Sequence, residues 1–119
     1  MNDLVRMCKA LSDPTRAAIL TQLSGEVLCV GALASRLGVT HSAVSQHLRV
    51  LRETGLVSGD KRGYWVHYSL DRERMHQVSE QLSEWLHSLA STPSSACAVG
   101  DRAASPRQST SGRARQQRR

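Results

Sequence analysis

Val30-Gly31-Ala32-Leu33-Ala34-Ser35-Arg36-Leu37-Gly38-Val39-Thr40-His41-Ser42-Ala43-Val44-Ser45-Gln46-His47-Leu48-Arg49-Val50-Leu51 is the stretch whose reading decides the fold. Roughly Val30–Leu37 reads as a short helix closed by Gly38, the residue type that most readily adopts the left-handed conformation ending a helix. Thr40 then stands where a hydroxyl caps a new first turn. In the helix that follows, Val44, Leu48 and Leu51 form an apolar stripe at spacings of three and four, and Gly55 ends it. Two helices joined by so tight a turn predict a helix-turn-helix. Such a unit needs a small residue at the turn, apolar residues that lock the helices together, and short polar side chains facing out. His41, Ser42, Ser45, Gln46 and Arg49 supply that outer face. Serine, glutamine and histidine hydrogen-bond base edges in a major groove, and an arginine reaches base or phosphate. Thr40 and His47 are counted with this set, packing against the neighbouring helix being the alternative for His47.

Working outward, Leu4, Cys8 and Leu11 mark a first helix. Asp13 and Pro14 then cap and open a second, with Ala17, Leu20 and Leu23 on one face and Ser24-Gly25 as its stop. Downstream the period changes. Leu56-Val57-Ser58 is a short extended run, Asp60-Lys61-Arg62-Gly63 a turn, and Tyr64–Leu70 a run of β-formers, so a hairpin is expected. Lys61 and Arg62 would sit at its tip, placed to meet a nucleic-acid backbone or minor groove. Trp65 and Tyr68 read as hairpin core rather than base-stacking groups. Asp71 caps a last helix carrying Met75, Val78, Leu82, Trp85 or Leu86, and Leu89 at helical spacing. The expected fold is mainly α with a β-hairpin wing, a winged helix-turn-helix in the order α-α-α-α-β-β-α.

Charge is unevenly placed. Residues 93–119 carry six arginines against one aspartate, +5, whereas residues 1–92 carry ten Lys/Arg against nine Asp/Glu, +1. From about Thr92 the chain is Ser, Pro, Gly, Gln and Arg with almost no large apolar residue, a composition that buries too little to offset ordering. The expected division is a domain over 1–92 and a basic disordered tail over 93–119, the tail raising non-specific duplex affinity without setting specificity. The domain has no phenylalanine, and so small a core favours a homodimer. No apolar run is long enough to span a membrane, and Met-Asn-Asp-Leu-Val-Arg lacks a signal-peptide pattern. A cytoplasmic location is expected, and the odd, widely spaced Cys8, Cys29 and Cys97 suit a reducing compartment.

Three blocks are recognisable together: Lys9-Ala10-Leu11-Ser12-Asp13-Pro14-Thr15-Arg16, then Ser42 through Val57, then Gly63-Tyr64-Trp65-Val66-His67-Tyr68-Ser69-Leu70. In this order and spacing, over about residues 4–90, the chain resembles the ArsR/SmtB family. The resemblance implies a dimeric winged-helix repressor that binds a double-stranded DNA operator and releases it when a metal, metalloid or other inducer binds. It also implies that the first and last helices form the dimer interface, which would place Leu4, Met75, Val78, Leu82 and Leu89 there.

Inducer chemistry is less marked. Arsenic-responsive members carry Glu-Leu-Cys-Val-Cys-Asp-Leu where this chain reads Leu28-Cys29-Val30-Gly31-Ala32-Leu33. Cys29 remains, and a pyramidal As(III) site wants two or three thiolates, so Cys8 or Cys97 would have to complete it. Cys29 and Cys8 are the candidate ligands for As(III), Sb(III) or another thiophilic ion, with thiol oxidation as an alternative switch and no inducer as a third. The positions used by zinc-sensing members fall on Arg72, Arg74, Trp85 and Ser88, none of them a good ligand. His76 and His87 lie near one helix face but too far apart to share an ion within one chain. Catalysis is not expected: Cys29 and Arg36 are separated by six residues where a thiol phosphatase loop has five, and a helix follows. A winged-helix module for protein or RNA contact is the remaining alternative, separable by salt-dependent, sequence-specific duplex binding.

Overall fold

Capping chemistry sets the element boundaries. In the computed structural model, which describes residues 1–95, α1 (Asn2–Leu11) hands over to α2 (Pro14–Gly25) at Asp13, whose carboxylate accepts from the Arg16 backbone N–H. α3 (Val30–Leu37) ends on Gly38 at φ 67°. α4 (His41–Glu53) begins on Thr40, whose hydroxyl accepts from the Ala43 N–H at 3.1 Å. β1 (Val57–Arg62) and β2 (Trp65–Leu70) pair antiparallel, from Val57 opposite Leu70 to Arg62 opposite Trp65. α5 (Arg72–Ala90) opens on Asp71, which accepts from the Arg74 N–H. The result is a winged helix-turn-helix in the expected order.

The core is aliphatic. Met7, Ile19, Leu23, Leu33, Val44, Leu48, Leu51 and Leu56 are fully buried, with Tyr68 and Val78 beside them. Leu28, just before α3, exchanges backbone hydrogen bonds with Tyr68 (3.1 and 2.8 Å), which ties the helix-turn-helix to the wing. Residues Met1–Leu89 form one compact unit. Residues 91–95 have no regular structure, and the rest of the expected tail, with Cys97, lies outside the described residues.

Four expectations need correction. The hairpin turn is only Gly63-Tyr64, because Asp60, Lys61 and Arg62 continue β1 and Gly63 alone turns left-handed, at φ 65°. Ile19, not Ala17, completes the buried face of α2. Trp65 is 63% exposed, since it flanks the two-residue turn at the tip of the wing, and only Tyr68 reaches the core. Leu4 and Val78, expected between two copies, are buried within their own chain. The first half of α5 is used in the protomer's own packing, with Met75 partly buried against the core. Farther along, Leu82 is half-buried and Leu89 emerges at 62% exposure.

Gly38 isolates the cost of the turn. A Cβ there would meet nothing within 4 Å, so only its left-handed backbone opposes a side chain. Gly38→Ala is expected to lower unfolding free energy by about 1–2 kcal/mol, whereas Gly25→Ala, equally uncrowded but without a left-handed φ, should not. Urea denaturation of the two variants checks this, and equal midpoints would contradict it.

Candidate nucleic-acid interface

The burial of Val44, Leu48 and Leu51 turns the opposite side of α4 to solvent. Ser42, Ser45, Gln46 and Arg49, at spacings of three and four, share that exposed face, and His41 stands exposed at its start. Thr40 is exposed too, but its hydroxyl is engaged in the cap. A cleft of about 390 Å³ between α4 and the wing is lined by Ser45, Arg49, Arg52, Glu53 and Tyr68. The Arg52 guanidinium lies 6.0 Å from the centroid of the Tyr68 ring, the outer limit of a cation–π contact. Two guanidiniums and a hydroxyl on one wall suit a phosphate, which arginine recognises through its planar fork of donors. Arg52 was part of the Ser42–Val57 block but was not among the residues expected to face DNA. Its position three residues after Arg49 was the available signal.

Along the wing, Lys61 lies opposite Val66, and Arg62 opposite Trp65. Arg62 is drawn back onto its own strand by Asp60, Nε to Oδ2 3.0 Å, both groups well exposed, so its charge is partly spent locally. Lys61 has no ion pair among the described residues.

His47 departs from the set expected to face DNA. Its ring turns toward α2 and is half-buried, with Nδ1 3.2 Å from Arg16 Nη1 and Nε2 3.8 Å from Asp13 Oδ2. Arg16 also donates from Nε to the Ala10 carbonyl at 2.7 Å and from Nη2 to that of Lys9 at 3.3 Å. One arginine thus joins the end of α1, the start of α2 and the middle of α4. The Arg16 backbone N–H, with the charges of His47 and Arg16 adding, holds the Asp13 carboxyl below the ordinary aspartate range despite its partial burial.

The candidate soft-metal ligands are not brought into a cluster: no group of three or more His, Cys, Asp or Glu that would hold an ion occurs among the described residues. Cys29 is the N-cap of α3, without a side-chain cap bond, and Cys8 is half-buried on α1. Cys29 lines a smaller cleft together with His41, Trp65 and Tyr68. Two of the four α5 positions that the family resemblance marks as a zinc site, Arg72 and Arg74, do structural work. Arg74 pairs with Asp3 at 3.0 Å and donates to the Thr54 carbonyl at 3.4 Å, while Arg72 donates to the Ser24 carbonyl at 3.1 Å. No helix among the described residues is long and apolar enough to cross a membrane.

Residues 13–58 match the profile of the family described as "Bacterial regulatory protein, arsR family". The HTH-type transcriptional regulator NmtR of Mycobacterium tuberculosis (strain H37Rv) is 45% identical over 82 residues, covering 66% of this chain and 68% of that protein. The cadmium resistance transcriptional regulatory protein CadC homolog of Staphylococcus aureus is 40% identical over 81 residues, 66% of each chain. Among solved structures, the ArsR-like transcriptional regulator from Rhodococcus sp. RHA1 matches with a TM-score of 0.65 and 33% identity, covering 75% of this chain and 88% of that one.

The Asp13 contacts make a pH prediction. A carboxyl held below its unfolded value, near 3.8, contributes stability that is complete above that value and lost as pH falls through the lower folded value. Asp13→Asn keeps a capping oxygen but removes the charge. The stability gap between wild type and Asp13→Asn should therefore shrink as urea denaturation is moved from neutral pH to below the unfolded value. A gap independent of pH would mean the charge contributes nothing.

Proposed function

The chain belongs to the arsR family of bacterial regulatory proteins and is a DNA-binding transcriptional repressor, and on that footing we propose how it reads and releases its operator. α4 enters the major groove, with Ser42, Ser45 and Gln46 addressing base edges, Arg49 a base or phosphate, and His41 and Thr40 lying at the entry. Lys61 and Arg62 meet the adjacent backbone from the wing. The observation that carries this reading is the division of α4 into one fully buried face and one exposed face of short polar and basic side chains. The tail over residues 93–119 adds non-specific attraction through its arginines.

A second copy completes the assembly. Val5 on α1 and Trp85, Leu86 and Leu89 on α5 are exposed, an apolar set at the two elements through which such domains pair. With Met75 and Leu82 it forms the isologous patch of a two-fold dimer, and the two reading helices then meet successive half-sites. Release follows binding of a thiophilic ion at Cys29, beside the reading unit. The name of the Staphylococcus relative, which ties that protein to cadmium resistance, supports an inducer of this class.

Base reading and backbone attraction separate by mutation. Gln46→Ala is expected to cost about 1–3 kcal/mol on operator DNA and little on random duplex. Lys61→Ala should weaken both alike and reduce the salt slope by about one. Fluorescence anisotropy on both duplexes at several salt concentrations makes the comparison, and an unchanged operator-to-random ratio for Gln46→Ala would remove α4 as the reading helix.

Assembly is tested at Leu89, exposed in the protomer, so that an aspartate there spares the fold while burying a charge between copies. Analytical ultracentrifugation should show Leu89→Asp shifted toward monomer with unchanged helical circular dichroism. A full-strength dimer would place the interface elsewhere.

A further inference from the structure

The chain has two tryptophans, two tyrosines and no phenylalanine, and it leaves two of these four rings side by side at the tip of the wing. Tyr64 in the turn is 98% exposed, and Trp65 at the start of β2 is 63% exposed. A tight turn is served by small polar residues, which expose no apolar area. Rings of this size in water therefore need a reason outside the protomer's own packing.

Their surroundings point to what covers them. Lys61 and Arg62 lie behind them on β1, Arg62 directly opposite Trp65, so the tip is apolar in front and cationic at its base. Tyr64 and Trp65 also border a cleft of about 230 Å³ whose lining includes His41, the first residue of α4. The tip is thus continuous with the exposed face of the reading helix. The apolar set assigned to a second copy lies elsewhere, on α1 and α5. Apolar bulk ahead of cations fits a groove walled by phosphates and floored by bases.

We propose that Tyr64 and Trp65 form a wedge that enters the minor groove beside the segment read by α4, parts one base step and bends the operator. The rings replace part of the stacking that the parted bases lose, while Lys61 and Arg62 meet the phosphates beside them. The steps that open at least cost are pyrimidine–purine, TA or CA. The wedge therefore adds a sequence preference at a position whose base edges no side chain of α4 reads. This rests on the placement of α4 in the major groove and deepens it. The helix reads base edges, and the wing reads how readily the flanking duplex deforms.

The test uses the full-length chain and a duplex that it selects from random sequence, labelled at both ends for energy transfer. Selected sites should carry a TA or CA step in the flank beneath the wing, and wild type should draw the duplex ends together. Tyr64→Ala and Trp65→Ala should each straighten the bound duplex and weaken binding about tenfold, the scale of one lost contact between a base and a ring. Their melting temperatures should match wild type, because both side chains are exposed. The dependence of affinity on salt should not change, since no cation is removed. Trp65→Phe, which keeps a ring, should restore most of the bend. Tryptophan emission should change on duplex binding in wild type and not in Trp65→Phe, which retains Trp85. An unbent wild-type complex, or a Trp65 as open to acrylamide when bound as when free, overturns the wedge. A Gln46→Ala variant that still loses operator preference would show in that case that reading by α4 survives. Failure to select any sequence would overturn operator reading, and the wedge with it.

Discussion

Val44, Leu48 and Leu51 have no solvent exposure worth the name, and everything that α4 presents to DNA depends on their staying where they are. Fully burying an aliphatic side chain of this size is worth about 1.5–3 kcal/mol, so the three together clamp one side of α4 with several kcal/mol. A helix held that firmly has only one face to offer, the one bearing Ser42, Ser45, Gln46 and Arg49. Gly38 and Thr40 contribute at the turn by letting the chain reverse into α4 without an unsatisfied amide, and the angle between α3 and α4 follows from that reversal.

A second constraint comes through Arg16. Its three donors reach the carbonyls of Lys9 and Ala10 and the ring of His47, so the end of α1, the start of α2 and the middle of α4 share one cation. The interaction is polar and only part-buried, in contrast to the aliphatic clamp beneath it. Its effect is on orientation: it withdraws His47 from the reading face and leaves that face to smaller side chains. The backbone exchange between Leu28 and Tyr68 does the same for the wing, fixing the hairpin against the chain just before α3. Cys29, the next residue, and His41 consequently line one cleft with residues of the wing.

The aromatic content of the chain is low, and the structure spends it unevenly. Tyr68 packs in the core while Tyr64 and Trp65 stand out at the wing tip, and Trp85 lies on α5 near Leu86 and Leu89. A core made almost entirely of Leu, Val, Ile and Met is small, and α5 extends beyond what one protomer covers. Arg74, bridging Asp3 and the Thr54 carbonyl, fastens the near end of α5 so that its far end projects with its apolar residues uncovered.

Element order, caps and the two faces of α4 were legible in the sequence, because each depends on neighbours within about one or two helical turns. Asp13 before Pro14, Gly38 before Thr40, and the spacing of Val44, Leu48 and Leu51 act locally, and local chemistry is written in local order. Tertiary packing decided the rest. His47 turns inward because Arg16, 31 residues away, happens to lie against it. Leu4 and Val78 are in the protomer's core rather than free for a partner because α1 and the near half of α5 fold onto the other helices. The strand runs on to Arg62 because cross-strand pairing with β2 outweighs the turn-forming tendency of Asp60 and Gly63. Cys29 and His41 flank Gly31 because α3 and α4 cross there. A one-dimensional pattern states which residues can pair with near neighbours, whereas which distant residues meet is set by how the buried faces fit together.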